Sequence, residues 1–304
     1  MDIEKIYNQL KEKIQSSNII KDESMAKHTS FKIGGPVDIM VIPETFEELK
    51  SVVSVCIENQ IPYYIIGNGS NLLVRDKGIR GVVIKVAENF SKVHIEGTRV
   101  TAQAGVLLSV LSKMIMREHL EGFEFASGIP GTLGGGLTMN AGAYGGEVKD
   151  VVVGASVLDE MGNVHYLDKE ALELEYRSSM IQKKGYIVLE VDMELKKGDY
   201  QKIKETVDDL TQKRTSKQPL HLPSAGSTFK RPPGHFAGKL IEDAGLKGVR
   251  VGGAQVSDQH CGFVVNVGNA TAEDVINLIK LIEKTVRDKF GVELHPEVKI
   301  IGEI

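Results

Sequence analysis

Three separated residues of the chain have side chains that could handle charge and protons during a reaction. Arg177 lies in E-Y-R-S-S, where its guanidinium could pair with a carboxylate through two charge-assisted hydrogen bonds. Ser227 lies in A-G-S-T-F-K-R-P-P, where small neighbours leave its hydroxyl accessible and two cations follow. No His–Asp pair follows in hydrolase spacing and G-S-T is not a G-x-S-x-G elbow, so Ser227 is predicted to donate a proton rather than attack an acyl group. Glu297 follows a proline and precedes an apolar strand, which would place a carboxylate at the mouth of a sheet.

Each of these residues also has an ordinary structural interpretation. Asp168 could cap a short helix through Leu174, and Arg177 would then be a surface arginine near its C-terminus. Most serines in such segments cap helices or form turns, and most carboxylates at strand entrances are solvated. Taken alone, none of the three residues establishes a function.

The stretch from Phe125 to Gly146 contains eight glycines and no charged residue or histidine. A surface loop would carry charges, and a core strand would not carry Gly134-Gly135-Gly136 because glycine weakens strands. This composition favours close approach of bare backbone to a large polar ligand, which backbone N–H groups would bind. The alternative is a buried glycine-rich helix-packing segment followed by a turn.

A second glycine-rich loop, Gly67-Asn68-Gly69-Ser70-Asn71, follows the apolar strand Tyr63–Ile66. It is not a dinucleotide fingerprint, because position 72 is Leu and a strand follows, and no G-K-[ST] makes it a P-loop. Its donors suit a diphosphate, although a hairpin turn is an equal alternative. Two uncharged glycine-rich loops predict a long ligand with a central diphosphate, such as FAD.

The composition excludes several other functions. The net charge of −4 gives no electrostatic basis for nucleic-acid binding. The N-terminus lacks a signal-peptide core and no apolar run reaches membrane-spanning length, which predicts a cytoplasmic protein. Cys56 and Cys261 lack metal or disulfide spacing and are predicted to be buried thiols. The scattered histidines predict no metal site.

The predicted elements give an α+β protein with two parts. Thr45 with Glu48, and Thr271 with Asp274, are capping boxes ahead of apolar helices. Residues 106–120 are predicted to form a helix with Leu107, Val110, Leu111, Met114 and Ile115 inward. Residues 1–27 are predicted to form a helical N-terminal segment, 28–197 the ligand-binding domain, and 198–304 a smaller α+β domain.

Motifs along nearly the whole chain resemble the UDP-N-acetylenolpyruvoylglucosamine reductase (MurB) family. These are H-T-S-F-K-I-G-G-P at 28–36, I-G-N-G-S-N-L-L at 66–73, S-G-I-P-G-T-L-G-G at 127–135, N-A-G-A-Y-G at 140–145, E-Y-R-S-S at 175–179, A-G-S-T-F-K-R-P at 225–232 and H-P-E-V-K-I-I-G-E at 295–303. The resemblance implies a two-lobed PCMH-type FAD-binding domain followed by a substrate-binding domain. The chain resembles the shorter, type II form, since there is no room for the extra tyrosine-bearing loop.

The resemblance also implies roles for individual residues. Arg177, Ser227 and Glu297 would be catalytic: Arg177 would stabilise a substrate enolate, Glu297 would polarise or position it, and Ser227 would protonate the carbon. Lys217, Lys230 and Arg231 would bind substrate, with Lys217 and Arg231 at the UDP diphosphate and Lys230 or water assisting Ser227. The residues expected to contact FAD are Gly67, Asn68, Gly69, Ser70, Asn71, Ser127, Gly128, Pro130, Gly131, Thr132, Gly134, Asn140, Ala141 and Gly142.

The implied reaction is NADPH-dependent, FAD-mediated reduction of UDP-N-acetylglucosamine enolpyruvate to UDP-N-acetylmuramate. It belongs to peptidoglycan precursor synthesis and so to cell-wall biogenesis, cell shape and cell division. FAD is expected to be noncovalent, because 67–73 holds no His or Cys to attach it. A monomer is expected.

Two alternatives remain open. An alcohol or lactone oxidase with the same type of FAD domain would share the first domain but not the set of Arg177, Ser227 and Glu297. A flavin- or nucleotide-binding module without chemistry would not need all three residues. The fold alone does not separate these functions.

Overall fold

The computed structural model describes residues 2–304, in which helices and strands are mixed along the chain. The helices are α1 (Ile3–Lys11), α2 (Phe46–Glu58), α3 (Leu108–Arg117), α4 (Leu133–Thr138), α5 (Met180–Lys184), α6 (Tyr200–Lys217), α7 (Ala237–Asp243) and α8 (Ala272–Phe290). The strands are β1 (Ile19–Ser24), β2 (Pro36–Val41), β3 (Tyr63–Ile66), β4 (Leu72–Val74), β5 (Ile79–Lys85), β6 (Val93–Glu96), β7 (Arg99–Gln103), β8 (Leu120–Glu121), β9 (Gly142–Ala143), β10 (Gly146–Glu147), β11 (Val152–Leu158), β12 (Val164–Asp168), β13 (Ile187–Glu194), β14 (Lys196–Lys197), β15 (Arg250–Val251), β16 (Ala254–Val256), β17 (Val264–Asn266) and β18 (Lys299–Ile301).

Helices α2 and α8 begin where the capping residues predict. The Thr45 side chain accepts the Glu48 amide at 3.1 Å, but the Glu48 carboxylate accepts the Glu44 amide at 2.6 Å, so the predicted capping box is only half formed. Thr271 and Asp274 form a reciprocal capping box, with Thr271 accepting the Asp274 amide at 3.0 Å. These bonds satisfy N–H groups that lack partners inside the helix, so they fix where each helix starts.

The chain divides into two units that alternate along the sequence. Unit 1 contains residues up to Lys21, Ile39–Asn68 and Gly81–Arg214. Unit 2 contains Asp22–Asp38, Gly69–Arg80 and Thr215–Ile304. The predicted domains, with boundaries at 27/28 and 197/198, are each one continuous stretch of the chain, and these boundaries stay predictions.

Unit 1 contains a five-stranded antiparallel sheet in the order β12-β11-β13-β7-β6. Strand β11 pairs with β12 from Gly154 opposite Asp168 to Leu158 opposite Val164. The apolar core of this unit includes side chains from α2, α3 and α4 as well as the sheet. Cys56 is fully buried there, and burial raises the pKa of its thiol to about 12.

Unit 2 has its own core, built around helices α7 and α8 and the three-stranded sheet β15-β16-β17. Strand β18 runs parallel to β4, with Lys299 opposite Leu72 and Ile301 opposite Val74. Phe31, Ile33 and Leu73, which are remote in sequence from the C-terminal residues, belong to the same core. Cys261 is also buried and free, as predicted.

A further sheet has the order β1-β2-β5-β3, in which β3 and β5 are parallel. Strands β3 and β4, which flank the loop at 67–71, are not paired with each other among the described residues, since β4 pairs with β18. The hairpin-turn interpretation of this loop is therefore wrong.

Three local predictions also differ from the structure. Residues 169–174 form turns rather than a helix, although the Asp168 side chain does accept the Ala171 amide at 2.9 Å. Leu107 and Val110 are exposed rather than inward, because helix α3 starts at Leu108 and turns Leu108, Leu111 and Ile115 into the core. The N-terminal segment predicted to be helical is not helical throughout, because α1 ends at Lys11 and Ile19–Ser24 forms strand β1.

Candidate active site

In unit 1, the two glycine-rich loops pack directly against each other. The Asn68 side chain donates to the Pro130 carbonyl at 2.7 Å. A Cβ added at Gly67 would collide with the Thr132 hydroxyl, so this contact requires glycine. Residues 127–132 are thereby fixed against the end of β3, and Pro130 at the tip is exposed.

The glycine-rich stretch also contains residues whose absent side chains are explained by packing alone. Gly134 is buried, its amide donates to the Ala104 carbonyl at 2.8 Å, and an added Cβ would lie 2.8 Å from the Ala104 Cβ. An added Cβ at Gly136 would lie 3.1 Å from Leu108. The helix-packing interpretation therefore holds for α4, whereas residues 127–131 remain partly or fully exposed.

Arg214 packs on this loop and was not among the predicted site residues. A Cβ added at Gly128 would lie 2.7 Å from the Arg214 Cδ and 3.1 Å from Nη1, so the glycine makes room for the guanidinium. Burial lowers the pKa of Arg214 from its ordinary value. In the sequence, Arg214 is only an arginine near the end of a charged helix. No spacing rule connects it to a loop more than eighty residues earlier.

Arg177 lies in a turn before α5, not at the C-terminus of a helix. Its φ is +55°, in the left-handed region that non-glycine residues seldom adopt. The Glu175 and Ser178 backbones bond to each other across this turn. The guanidinium is half-buried and donates from Nη1 to the Asn140 carbonyl and from Nη2 to the Gly142 carbonyl, both at 3.4 Å. The surface-arginine interpretation is therefore wrong, because the side chain folds back onto the glycine-rich stretch.

In unit 2, the segments that carry Ser227 and Glu297 are joined by an isolated antiparallel bridge between Phe229 and Pro296. The Glu297 amide donates to the Thr228 carbonyl and the Lys230 amide to the His295 carbonyl, both at 2.8 Å. Thr228 points inward, where its hydroxyl accepts the Val264 amide at 2.9 Å. Its neighbour Ser227 is exposed, and within residues 2–304 its hydroxyl makes no hydrogen bond of the kind a capping serine makes. Glu297 is half-buried.

The part of the first glycine-rich loop that belongs to unit 2 reaches the same place. The Asn71 side chain donates to the Glu297 carbonyl at 3.1 Å, and the Asn71 carbonyl accepts the Lys299 amide at 3.0 Å. The parallel pairing of β4 with β18 sets this register. Unit 2 thus gathers Asn71, Ser227 and Glu297, three predicted site residues that are far apart in sequence.

The predicted substrate-binding cations also lie in unit 2. Lys217 is the last residue of α6 and is exposed. Lys230 is half-buried beside the Glu297 segment, and Arg231 is exposed. The Arg231 guanidinium lies 4.0 Å from the centre of the exposed Phe236 ring, and its Nε donates to the His235 carbonyl at 3.3 Å.

Comparison with known families matches both parts of the chain. Residues 37–168 match the model described as "FAD binding domain", and residues 218–301 match "UDP-N-acetylenolpyruvoylglucosamine reductase, C-terminal domain". The UDP-N-acetylenolpyruvoylglucosamine reductase of Alkaliphilus oremlandii is 64% identical over 303 residues, covering 100% of both chains. The chain belongs to this reductase family.

Other members give the same result. The enzyme of the same name from Clostridioides difficile is 55% identical over 303 residues, again covering 100% of both chains. A crystal structure of the MurB reductase from Thermus caldophilus has a TM-score of 0.79 and 36% identity, covering 91% of this chain and 97% of that one. These matches confirm the predicted α+β class, with a PCMH-type FAD-binding domain and a reductase-type C-terminal domain.

A more distant structure shares the fold alone. An alkyldihydroxyacetonephosphate synthase has a TM-score of 0.50 and 18% identity, covering 64% of this chain and 40% of that chain. Within residues 2–304, no helix is long and apolar enough to cross a membrane, and no cluster of three or more His, Cys, Asp or Glu side chains could hold a metal.

Proposed function

We propose that the chain is an FAD-dependent, NADPH-consuming reductase that converts UDP-N-acetylglucosamine enolpyruvate to UDP-N-acetylmuramate for peptidoglycan synthesis. The observation that carries this proposal is identity of 64% over the full length of a reductase of that name. The match covers the full chain rather than the FAD domain alone, so it spans both units.

The residues present fit FAD. The tip at 127–131 is uncharged and accessible, and side chains are excluded at Gly67 and Gly128 by Thr132 and Arg214. Such a surface presents bare backbone to a neutral ring system and a diphosphate. The predicted contacts from Gly67–Asn71 and from the 127–142 stretch are proposed on this basis.

The backbone amides of three of these residues are already occupied. Those of Gly134, Asn140 and Ala141 donate to the carbonyls of Ala104, Leu137 and Gly136, so any contact from these residues uses other atoms. FAD bound there noncovalently would supply hydride transfer from NADPH to the enolpyruvyl double bond.

Arg177 would hold the substrate carboxylate. As the distal vinyl carbon gains a hydride, negative charge moves toward that carboxylate as an enolate, and a guanidinium stabilises it with charge-assisted hydrogen bonds. The two carbonyl contacts orient the guanidinium before substrate arrives, which lowers the cost of reorganisation during the reaction.

Ser227 would protonate the carbon next to the carboxylate, and Glu297 would position the reacting group. Ser227 is exposed on a segment whose backbone is held by two hydrogen bonds, one with Glu297 and one with His295. A serine hydroxyl is a weak acid, so Lys230, three residues along the same segment, or a water relay would assist the proton transfer. General-acid catalysis of this kind contributes about 10²–10⁴-fold to a rate.

The function is tested by following the flavin absorbance anaerobically in two steps. Addition of one equivalent of NADPH should bleach the visible band, and the enolpyruvyl substrate should restore it. Bleaching without recovery would contradict the proposal. Rapid recovery on admitting oxygen, with no response to the sugar nucleotide, would instead indicate an oxidase with the same FAD domain.

The role of Ser227 is tested in the same experiment. Ser227→Ala should leave bleaching by NADPH unchanged and slow reoxidation by substrate about 10²–10⁴-fold. Ser51→Ala is the matched control, because the Ser51 hydroxyl bonds only within α2, to the Glu47 carbonyl at 2.7 Å. Equal losses in both half-reactions of Ser227→Ala would show that the serine is not the proton donor.

Lys217 and Arg231 would bind the UDP diphosphate. Arg231→Ala should raise the KM for the sugar nucleotide about 10-fold or more, since a charge-assisted hydrogen bond is lost. Lys239→Ala is a suitable control, because Lys239 is an exposed cation of the same unit that pairs with Asp243 on its own helix. An unchanged KM in Arg231→Ala would remove this residue from the substrate site.

We also propose that the chain acts in the cytoplasm as a monomer. NADPH and nucleotide sugars are cytoplasmic metabolites, which supports the location. Light scattering during gel filtration should give a mass near 33.2 kDa plus one FAD, and twice that mass would contradict the monomer.

A further inference from the structure

The Arg177 guanidinium is held through the backbone of the residue that ends the glycine-rich run, Asn140. The Asn140 carbonyl accepts from Arg177 Nη1, and the next contact, from Nη2, goes to the Gly142 carbonyl. The guanidinium carbon also lies 4.9 Å from the centre of the Tyr176 ring, so the orientation of the Arg177 side chain depends on this ring and on how residues 140–142 are held.

Asn140 itself is held by its side chain, which is completely buried. Its amide nitrogen donates to the Glu147 carboxylate at 3.0 Å and to the Glu175 carbonyl at 3.1 Å. Its amide oxygen accepts the Lys149 backbone N–H at 2.9 Å. Both donors of the amide are thus used inside the protein. One of the partners, Glu175, lies in the same turn as Arg177.

The backbone geometry explains why this network is needed. Asn140 has φ of +43° and Arg177 has φ of +55°. Left-handed backbone at non-glycine residues carries strain that the surrounding contacts must offset. The Asn140 side chain connects these two strained segments directly, through the Glu175 carbonyl.

Glu147 completes the cluster without leaving an unbalanced charge near the arginine. Its carboxylate pairs with Lys149 Nζ at 2.7 Å as well as accepting from Asn140. The hydrogen bond from Lys149 lowers the pKa of Glu147, with smaller contributions from Asn140 and from the charge of Arg177. The carboxylate therefore stays ionised and remains an acceptor at neutral pH.

We propose that Asn140 and Glu147 are positioning residues for Arg177 in the substrate-reducing step. Asn140 fixes both the carbonyl that the guanidinium contacts and the turn that carries it, and Glu147 fixes the Asn140 amide. This inference rests on the proposed function, in which Arg177 stabilises the enolate. It assigns to the Asn140 side chain a role in orienting Arg177 rather than a contact with the cofactor.

A double-mutant cycle tests the inference, with the rate of flavin reoxidation by substrate as the readout. Arg177→Ala should slow this step about 10²–10³-fold. Asn140→Ala should slow it about 10–100-fold through misplacement of the guanidinium. In the Arg177→Ala background, Asn140→Ala should change the step less than about twofold, because effects that act through one group are not additive. Bleaching by NADPH, measured in the same variants, should be slowed less than reoxidation by substrate.

Glu147 supplies a second pair of variants that does not remove the buried amide. Glu147→Ala removes the acceptor and should slow reoxidation by about 5–50-fold. Glu147→Gln retains an acceptor oxygen, so its rate of reoxidation should stay within a few-fold of the wild-type rate. Asn59→Ala is the control, since the half-buried Asn59 likewise donates two side-chain hydrogen bonds, to Gln9 and Val55, but lies at the end of α2. It should leave both half-reactions unchanged.

The outcomes separate failure of the inference from failure of the proposed function. If Arg177→Ala leaves reoxidation unchanged, the role of Arg177 and the inference both fail. If Arg177→Ala slows it but Glu147→Ala does not, or if the effects of Asn140→Ala and Arg177→Ala multiply, only the inference fails. Should Asn140→Ala not fold, the comparison of Glu147→Ala with Glu147→Gln, made in the wild-type and Arg177→Ala backgrounds, decides the question.

Discussion

Gly69 is the glycine of the first loop at which a side chain is excluded most directly. Its φ is +61°, and an added Cβ would collide with the His28 carbonyl oxygen. Gly97 has nearly the same φ, +64°, but nothing lies within 4 Å of an added Cβ. The two positions therefore have the same backbone conformation and differ in whether there is room for a Cβ atom.

Gly69→Ala should therefore be far more destabilising than Gly97→Ala. Gly97→Ala should cost about 1 kcal/mol, the usual price of a left-handed backbone for alanine. Gly69→Ala adds overpacking and should cost about 2–4 kcal/mol, with weakened FAD binding as the loop shifts. Urea unfolding of the two variants measures the difference. Similar costs would show that the His28 segment moves away freely.

At the residue scale, the sequence indicated candidate site residues but did not predict what their side chains contact. The neighbouring residues predicted an accessible hydroxyl at Ser227 and a carboxylate at the mouth of a sheet at Glu297. In the structure, backbone hydrogen bonds join the two segments. The environment of Arg177 could not be predicted, because it depends on carbonyls of Asn140 and Gly142 that carry no side-chain signature. The packing of Arg214 could not be predicted either, because its partner, Gly128, has no side chain that could indicate the contact.

At the scale of elements, the turn between β11 and β12 is organised by a single carboxylate. Asp159 accepts the backbone amides of Met161 at 2.9 Å and Asn163 at 2.8 Å, and its other oxygen lies 2.7 Å from His165 Nε2. The hydrogen bond from the Asn163 amide is the main reason that the pKa of Asp159 falls to about 2 from an ordinary 3.8.

This depressed pKa predicts an acid-dependent contribution to stability. The contribution is present in full above the unfolded-state pKa, about 3.8, and is lost as the pH falls through about 2, because the unfolded chain binds the proton first. Asp159→Asn should unfold at lower urea than the wild type at pH 5–7. The two midpoints should converge as the pH approaches 2. A difference that stays constant from pH 6 to pH 2 would contradict this account.

Whether an element could be predicted depended on whether its cause is local. Helices α2 and α8 carry their caps and apolar spacing in their own sequences, and both were predicted. Helix α4, L-G-G-G-L-T, has poor helix formers and exists because Thr132 caps it and its glycines pack on Ala104 and Leu108. The predicted helix after Asp168 failed for the converse reason, since one capping side chain without an apolar stripe produced only turns.

At the scale of the whole molecule, sequence patterns could not show that the two units alternate along the chain. The predicted C-terminal domain, 198–304, begins near a change of composition, which is the usual sign of a boundary. The structure instead adds Asp22–Asp38 and Gly69–Arg80 to the C-terminal residues. Hydrophobic periodicity identifies which side chains are buried but not which core receives them.

A fragment of residues 198–304 should consequently fail to fold cooperatively. It lacks Phe31, Ile33 and Leu73, which are 1%, 3% and 0% exposed in the core of unit 2, and it lacks β4, the strand that pairs with β18. Burial of three such side chains contributes about 5–9 kcal/mol, which is comparable with the whole stability of a typical domain. Urea titration followed by far-ultraviolet circular dichroism should show a gradual change for the fragment and a cooperative transition for the full chain. A cooperative transition in the fragment would mean that residues 198–304 are an autonomous domain and that the contacts of Phe31, Ile33 and Leu73 are dispensable.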